Sequence, residues 1–465
     1  MIIKIKNVGA VTNAEIDLKP LTVFLGKNNT GKTYVSYLLS GIFDGYSYNE
    51  YLNSVIAEEK LHKQYKEIDG LVSQVIESGN AKLDLNAFLE KEGFKYFEYI
   101  SKRIPIWFPS FLGTQRRNFD DLEVIFNLKD LNKEILLKLK TVVMDSKISV
   151  NAQGDGLLNA HKDKDDMHIY FYSKDANVAE KLPIKVINQF IFRNVLMCIH
   201  RSIYPNVYVF GAERTGLTLF YKAMEIRKEE VDGKKEAREK NIISTPIGEL
   251  IASITGMRRE DNLLKRVKDA KRNIKIKKYM ELSNILEHQV LGGHLDFSQS
   301  EFDKDREILF EWNFKKEIIL DISVTSSVVK SLTPLVLYLR FAVQPSDLLV
   351  IDEPEMNLHP ESQAKLIEFF CMLVNAGVNV ILTTHSPFIV DHLVNLINAS
   401  KRKNKKEIAQ KFFLKDSDAF IKKEKVSVYL FENNTATSAL DKKGIIDWDT
   451  FSKVSEEIAD LYMDN

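Results

Sequence analysis

The chain has 465 residues, more than one ordinary domain holds, which predicts two to three folding units. Its apolar fraction of 45% and charged fraction of 28% are typical of a globular protein and exclude a mainly disordered chain. Lys plus Arg and Asp plus Glu number 65 each, so any basic surface that binds nucleic acid must be local.

The N-terminal segment predicts three strands followed by a helix. Ile2–Asn7 and Ala14–Leu18 alternate like half-buried strands, and Leu21–Leu25 is a continuous apolar run typical of a buried strand. Tyr34–Ile42 has the pattern of a helix. An octet with two glycines lies between this buried strand and this helix.

The octet fits the pattern G-x-x-x-x-G-K-[ST], in which backbone N–H groups and the helix N-terminus bind phosphates. Lys32 is expected to bridge the β- and γ-phosphates of ATP, and the Thr33 hydroxyl to ligate Mg²⁺. The alternative is a chance match, which the flanking strand and helix disfavour. The predicted ATP-binding residues are Gly26, Lys27, Asn28, Asn29, Thr30, Gly31, Lys32 and Thr33.

The middle of the chain changes character twice. An α+β insertion is predicted over residues 45–202 and a mainly helical insertion over 217–295. The main domain then comprises residues 1–44, 203–216 and 296–465, because a strand-like apolar pattern returns at Val207–Phe210.

The C-terminal half predicts paired strands and then a strand–helix–strand unit. The paired strands are Ile308–Trp312 and Ile318–Ile322. The unit consists of Leu348–Ile351, the helix Pro360–Asn375 and Val378–Leu382, and its apolar strands are of the parallel-sheet kind. The predicted fold class is therefore α/β, a mixed β-sheet with flanking helices.

Two acids follow the first of these parallel strands. At a strand's carboxyl end beside a phosphate loop, Asp352 can hold Mg²⁺ and Glu353 can polarise the attacking water as a general base. Adjacent acids are also common in turns, but the upstream phosphate loop favours the catalytic interpretation. His385 ends the next strand, where its imidazole is placed to donate to the γ-phosphate; the alternative is an ordinary surface or core histidine.

Hydropathy and cysteine usage bear on the compartment. Cys198 and Cys371 lie far apart without metal-like spacing, which suits a reducing cytosol. Met1 leads directly into a strand pattern, so we expect no signal peptide. Apolar stretches such as Leu335–Val343 are shorter than the roughly 18 residues that cross a bilayer. We expect a cytoplasmic protein without a membrane partner.

Together these residues resemble the ABC-type ATPases that include RecF, the SMC proteins and the OLD proteins. The likeness is closest to the OLD-like ATPases of bacterial anti-phage systems, and it covers about half of the chain, outside both insertions. It is carried by Asn28 in the phosphate loop, by Asp352–Pro360, and by Phe210–Gly216, which resembles a "PAERTG" segment with Gly211 in place of proline. The resemblance implies an ABC-type head in which Asp352 is the Walker B acid, Glu353 the catalytic glutamate and His385 the switch histidine.

The resemblance also implies a signature loop that caps the ATP of a second subunit, and hence a two-fold dimer that encloses two ATP molecules. The matching residues are Ser326 and Ser327 before a predicted helix at Leu332–Phe341, although Val328 stands where the family has glycine. This departure bears on the hydrolysis rate. The alternative interpretation of the serines is a plain helix N-cap.

Full OLD nucleases carry a TOPRIM nuclease domain after the ATPase. The sequence that follows His385 is shorter than an ordinary domain of that kind. A TOPRIM domain needs a glutamate and then a D-x-D motif, whereas here Asp416–Asp418 come before Glu432. We therefore interpret Glu432 as a strand end and Asp416–Asp418 as a loop. We therefore expect an ATPase that senses or scaffolds for a separate effector, an HNH or TOPRIM nuclease, as the Septu and PARIS ATPases do.

Two alternatives remain open: a DNA-repair or DNA-maintenance ATPase, and an OLD-type enzyme that cuts nucleic acid alone. The first requires a DNA-binding surface, and the alternative interpretation of basic runs is a solvated helix face. The candidates lie at 258–278 and 401–406, namely Arg258, Arg259, Lys265, Arg266, Lys268, Lys271, Arg272, Lys275, Lys277, Lys278, Lys401, Arg402, Lys403, Lys405 and Lys406.

Overall fold

The computed structural model describes residues 1–57, 65–114, 119–149, 156–173, 181–220, 244–248, 250, 266, 268–299, 306–313, 318–446 and 460. The helices are α1 (Lys32–Phe43), α2 (Gly45–Ala57), α3 (Lys66–Ser78), α4 (Leu85–Phe88), α5 (Phe94–Phe111), α6 (Leu128–Leu139), α7 (Ile184–Ile203), α8 (Ile274–Ile285), α9 (Ser327–Leu337), α10 (Pro360–Asn375), α11 (Pro387–Ser400) and α12 (Lys405–Ala409). The strands are β1 (Ile2–Val8), β2 (Val11–Asp17), β3 (Leu21–Gly26), β4 (Asn80–Asp84), β5 (Glu123–Phe126), β6 (Met144–Ile148), β7 (Leu158–Lys162), β8 (His168–Tyr172), β9 (Val207–Phe210), β10 (Gly293–Gln299), β11 (Arg306–Trp312), β12 (Ile319–Asp321), β13 (Leu348–Asp352), β14 (Asn379–Thr384), β15 (Val426–Glu432) and β16 (Thr435–Ser438).

The chain forms two compact units. The first contains Met1–Asn7, Gly41–Pro109 and Arg117–Asn206, and the second contains Val8–Ser40, Ser110–Arg116 and Val207–Asn465. The N-terminal seven residues therefore belong with the first unit, where β1 pairs antiparallel with β5. The described part of 217–295 belongs to the second unit.

In the second unit, a mixed sheet has the strand order β2-β16-β15-β3-β14-β13-β9. Strand β3 lies between β14 and β15 and is parallel to both, and β13 is parallel to β14 and β9. The pair β15–β16 is antiparallel. Since β3, β13 and β14 run the same way, their carboxyl ends meet at one edge of the sheet.

The core of this unit explains why the sequences of its strands are continuously apolar. Every residue of β3 and β13 is buried, as parallel strands covered on both faces require. Helix α10 begins with Pro360 at its first turn and contributes a mostly buried run from Leu366 to Val374. The predicted α/β class with a mixed sheet is confirmed, and α10 has the predicted bounds.

The first unit has its own sheet and helices. Its antiparallel sheet has the order β4-β8-β7-β6. Helix α7 buries one broad apolar face, which includes Ile187, Ile191 and Ile199. Part of the predicted α+β insertion, residues 58–64, and the basic tract at 258–265 lie outside the described residues.

Among the described helices, none has both the length and the apolar character that crossing a bilayer requires.

Candidate functional site

The phosphate loop connects β3 to α1 and needs glycine at both ends. Gly26 has a φ of 145°, and a Cβ there would lie 2.5 Å from the backbone oxygen of Phe431. Gly31 has a φ of 95°, and a Cβ there would lie 2.6 Å from the side chain of Val11. A side chain at either position would be strained and would clash. The glycine spacing of the motif is therefore a requirement of this backbone path.

Lys32 is the first residue of α1 and its side chain is buried. Its ammonium donates to the backbone oxygens of Gly26 at 2.8 Å and Lys27 at 2.7 Å. Burial lowers the pKa of Lys32, and the charges of Glu353 and Asp352 oppose that shift. The ammonium thus lies under the loop, in the field of the acids at the end of β13.

Asp352 is the last residue of β13 and lies beside Thr383 of β14 in the parallel register. The Thr33 hydroxyl donates to its two carboxylate oxygens at 3.2 and 3.0 Å, and the Thr383 hydroxyl also donates to this carboxylate. Burial raises the pKa of Asp352, against these hydrogen bonds.

A magnesium ion fits this donor set. A hydroxyl and a carboxylate are hard oxygen ligands, and Mg²⁺ commonly takes one or two protein oxygens with water and nucleotide phosphates. A nearby cation would also favour the ionised form of Asp352, which burial disfavours. Thr33 and Asp352 would hold the ion.

Glu353 has an unusual backbone conformation, with a φ of 44°. Its N–H lies 3.1 Å from both the backbone oxygen and the hydroxyl oxygen of Thr383. Non-glycine residues in this region are strained, and such strain persists only where the surrounding contacts impose it. The side chain of Glu353 therefore leaves the end of β13 in a direction that a regular strand would not give it.

His385 lies beside two acids. Its Nδ1 is 3.4 Å from a carboxylate oxygen of Glu353 and 3.6 Å from one of Glu355, without the geometry of a hydrogen bond. Glu355 is buried and accepts from the Thr384 hydroxyl at 2.5 Å and from the His385 backbone N–H at 2.9 Å. Burial raises the pKa of Glu355. The three predicted groups Asp352, Glu353 and His385 are thus brought to the edge where β3 ends.

Arg214 begins a helical segment at 214–220 and is 1% exposed. Its guanidinium donates to the backbone oxygens of Asp352 at 2.6 Å and Glu353 at 2.8 Å. It also donates to Gly211 at 3.1 Å and to Ser331 of α9 at 3.1 Å. One buried side chain thereby joins the acid pair to α9.

The two serines of the predicted signature loop lie at the start of α9. Ser326 is the N-cap, and its hydroxyl accepts from the Val329 N–H at 3.4 Å. Ser327 is the first residue of the helix. Among the described residues, neither serine is hydrogen-bonded to the phosphate loop of the same chain.

The described basic residues of the two candidate DNA-binding runs are mainly exposed on helix faces and loops. Arg266 is the exception among them, because it is buried and donates to the backbone oxygen of Val343, so it is not placed to contact DNA. On α8, Lys275 and Lys277 are exposed while Ile276 and Tyr279 are buried. Lys278 pairs with Asp418 at 2.8 Å.

The C-terminal acids lie as the sequence predicts: Glu432 ends β15, and Asp416 caps a short 3₁₀ turn by accepting from the Asp418 N–H.

A comparison with protein families identifies the family to which the chain belongs. The model of the AAA ATPase domain family matches residues 1–390. The chain belongs to this family. The match includes the phosphate loop, the acid pair and His385, so the AAA ATPase domain contains the site described above. Among curated proteins, no sequence matches the chain.

Three solved structures with some likeness to this AAA ATPase domain protein are heads of SMC proteins. One, an Smc head bound to the C-terminal winged-helix domain of ScpA, is 11% identical with a TM-score of 0.35, covering 94% of this chain and 96% of that one. An Smc head bound to the C-terminal domain of ScpA from Pyrococcus furiosus is 12% identical with a TM-score of 0.34, covering 98% of each chain. An SMC head from Thermotoga maritima is 10% identical with a TM-score of 0.30, covering 94% of this chain and 97% of that one. With TM-scores this low, the family membership rests on the family match alone.

Sequence reasoning gave no role to two side chains of this AAA ATPase domain that organise the acids. Thr383 bridges the Asp352 carboxylate and the Glu353 N–H. The signal for Thr383 was its place at the end of the strand that neighbours Asp352. Arg214 lies within Phe210–Gly216, and no local pattern in that segment predicts its four backbone partners.

Proposed function

We propose that this protein is a cytoplasmic ABC-type ATPase that hydrolyses ATP with Mg²⁺ and dimerises around the nucleotide. In this proposal, it senses or scaffolds for a separate effector in bacterial anti-phage defence. One observation carries the ATPase part: Lys32, Thr33, Asp352, Glu353 and His385 converge where the parallel strands end. A phosphate loop with an acid pair beside it is the arrangement that phosphoryl transfer requires.

The residues have distinct parts in this reaction. When bound, ATP supplies the phosphoryl group and Mg²⁺ neutralises part of its charge. The loop N–H groups and Lys32 bind the phosphates, and Thr33 and Asp352 hold the ion. Glu353 orients the attacking water and accepts its proton, and His385 donates to the γ-phosphate oxygens.

The dimer part of the proposal rests on the resemblance and on α9. Ser326 and Ser327 lie at a helix N-terminus, where N–H groups and the helix dipole favour an anion. We infer that they meet the γ-phosphate held by a second copy. Val328 follows them where a glycine would let the backbone approach more closely, so we expect slow turnover.

An ATPase assay on purified protein tests the catalytic part. Glu353→Gln keeps the shape of the side chain but removes the general base, so we expect turnover to fall by about 10²- to 10⁴-fold. We expect ATP binding to persist and the ATP-bound dimer to accumulate in light scattering. Glu361→Gln, on the exposed start of α10, is the matched control. Unchanged turnover in Glu353→Gln would remove this residue from the mechanism.

The effector part rests on the similarity to the Septu and PARIS ATPases, whose partners are HNH or TOPRIM nucleases. Purification of the tagged chain from its native operon is the test, and we expect a nuclease to copurify in an ATP-dependent manner. The purified chain alone should leave plasmid DNA intact with Mg²⁺ or Mn²⁺ and ATP. Cleavage without any partner would instead favour an OLD-type nuclease.

The alternative, a DNA-maintenance ATPase of the RecF or SMC type, is favoured by the exposed cations on and before α8. If it is correct, duplex DNA should bind with a steep salt dependence. Charge reversal at Lys271, Arg272 and Lys275 should then remove that binding. Salt-insensitive or absent binding would favour the effector-control proposal.

A further inference from the structure

Arg214 is the most completely buried arginine near the site, and it donates to no carboxylate in the hydrogen bonds of the described residues. Four of its five N–H groups donate to backbone oxygens, at distances of 2.6 to 3.1 Å. Burial lowers its pKa, and the charge of Asp352 opposes that shift. Burying a charged guanidinium that has only backbone partners costs free energy. The backbone geometry that Arg214 imposes through these hydrogen bonds therefore needs an explanation.

This geometry matters for the backbone conformation of Glu353. Its left-handed backbone conformation is held from both sides of the residue: Thr383 fixes the N–H, and Arg214 fixes the carbonyl oxygen at 2.8 Å. Arg214 also holds the preceding carbonyl oxygen, of Asp352, at 2.6 Å. Two successive peptide groups are thereby locked, and the conformation of these groups sets where the Glu353 carboxylate lies.

The other two partners of Arg214 are its anchors. Gly211 follows β9 directly, and its backbone passes close to Tyr37, since a Cβ there would lie 2.5 Å from the Tyr37 hydroxyl oxygen. Ser331 belongs to α9 and is itself buried. The guanidinium is planar and rigid, so its N–H groups have fixed directions relative to one another. The hydrogen bonds to Gly211 and Ser331 therefore fix the position from which Arg214 donates to the acid pair.

From this we propose that Arg214 is a positioning residue for hydrolysis: it holds Glu353 in its strained conformation and so places the carboxylate against the attacking water. This inference rests on the proposed ATPase function. Arg214 does not contact Lys32 or Thr33 in the hydrogen bonds of the described residues, so it acts on turnover and not on nucleotide binding.

The test is Arg214→Lys, which keeps the charge but replaces the rigid fork with a single ammonium that cannot reach all four oxygens. We expect turnover to fall by about 10- to 100-fold, as for a misplaced catalytic group. The dissociation constant for ATP should stay within about threefold of the wild type, because ground-state binding is untouched. Arg214→Gln, which keeps two donors, gives a second variant if the lysine variant does not fold.

Combination with Glu353→Gln distinguishes positioning from a general structural role. If Arg214 acts through Glu353, the double variant turns over at the rate of Glu353→Gln alone, since residues that act as a unit are non-additive. Arg340→Lys is the matched control, because this arginine donates to Glu287 and to the Leu295 backbone, outside the site. It should lower thermal stability without lowering turnover.

Three outcomes overturn the inference: wild-type turnover in Arg214→Lys, loss of ATP binding in step with turnover, or multiplicative losses in the double variant. Failure of the proposed function looks different. In that case the wild type binds ATP without hydrolysing it and Glu353→Gln changes nothing, and the inference about Arg214 falls with it.

Discussion

Two buried polar clusters, one in each unit, are built in opposite ways. In the first unit, His200 has a partner for each ring nitrogen: the Tyr96 hydroxyl at 2.9 Å and the Asp44 backbone oxygen at 2.9 Å. Since a carbonyl only accepts, Nε2 carries the proton and Nδ1 accepts from Tyr96. Burial lowers the pKa of His200 to about 4. This cluster is neutral and satisfied.

The cluster beside the phosphate loop is charged and incompletely satisfied. Within the described residues, one buried carboxylate oxygen of Glu355 and Nδ1 of His385 have no hydrogen-bond partner. Burial raises the pKa of Asp352 and of Glu355, while it lowers that of Lys32. Buried polar groups without partners cost stability. The first cluster is thus complete within the protein, whereas the second leaves buried polar atoms that a bound ligand can still partner.

The largest effect that tests this comparison is the pH dependence of the His200 cluster. His200 is protonated with its ordinary pKa of 6.5 in the unfolded chain and with a pKa of about 4 in the folded chain. Its contribution to stability is therefore complete above pH 6.5 and is lost as the pH falls toward 4. At about 1.4 kcal/mol for each pKa unit, the loss is roughly 3 kcal/mol. Urea unfolding between pH 7 and 4 measures it.

The variant His200→Gln should lose this part of the pH dependence and be less stable at pH 7. His288→Gln, at an exposed position, is the control and should keep the wild-type profile. Parallel pH profiles for the wild type and His200→Gln would contradict a neutral buried imidazole.

The next effect concerns the ligand that completes the second cluster. Lys32→Ala removes charge-assisted hydrogen bonds to phosphate, worth about 1.5–3 kcal/mol, which is a loss of roughly 10- to 150-fold in ATP affinity. Calorimetric titration with Mg²⁺ and ATP measures it. Lys6→Ala, which removes an exposed lysine paired with Glu123, should leave the affinity unchanged. Equal affinities for the wild type and Lys32→Ala would rule out the proposed site.

Gly26→Ala tests the backbone of the phosphate loop. The positive φ alone costs about 1–3 kcal/mol for a residue with a Cβ. The new Cβ would also meet the Phe431 backbone oxygen, which a rotamer change cannot relieve. We expect a lower melting temperature and weaker ATP binding. A variant that melts and binds like the wild type would show that the loop adopts another path.

The smallest effect is a stabilising one in the first unit. Gly70 lies inside α3, and a Cβ there would meet nothing within 4 Å. Gly70→Ala should stabilise the protein by about 0.5–1 kcal/mol, because alanine loses less backbone entropy in a helix. Urea unfolding measures the gain, and ATP turnover should not change. Destabilisation by this variant would indicate that the glycine has a packing role.

The sequence by itself determined the elements and the identity of the chemical groups. Continuous apolar runs predicted β3, β13 and β14, and Pro360 and Gly377 bounded α10, because local periodicity and backbone restrictions act over a few residues. The two glycines of the phosphate loop were readable for the same reason, since a positive φ selects glycine wherever it occurs.

Only the tertiary structure decided which of these groups meet and how they are held. Strand β3 pairs with β14 and β15, more than 350 positions away along the chain, and no local pattern specifies such register. The left-handed backbone of Glu353 and its carbonyl's contact with Arg214 arise from the same long-range packing. The sequence alone predicts that an acid lies at the end of a strand. The orientation of that acid is imposed by partners that the fold brings close to it.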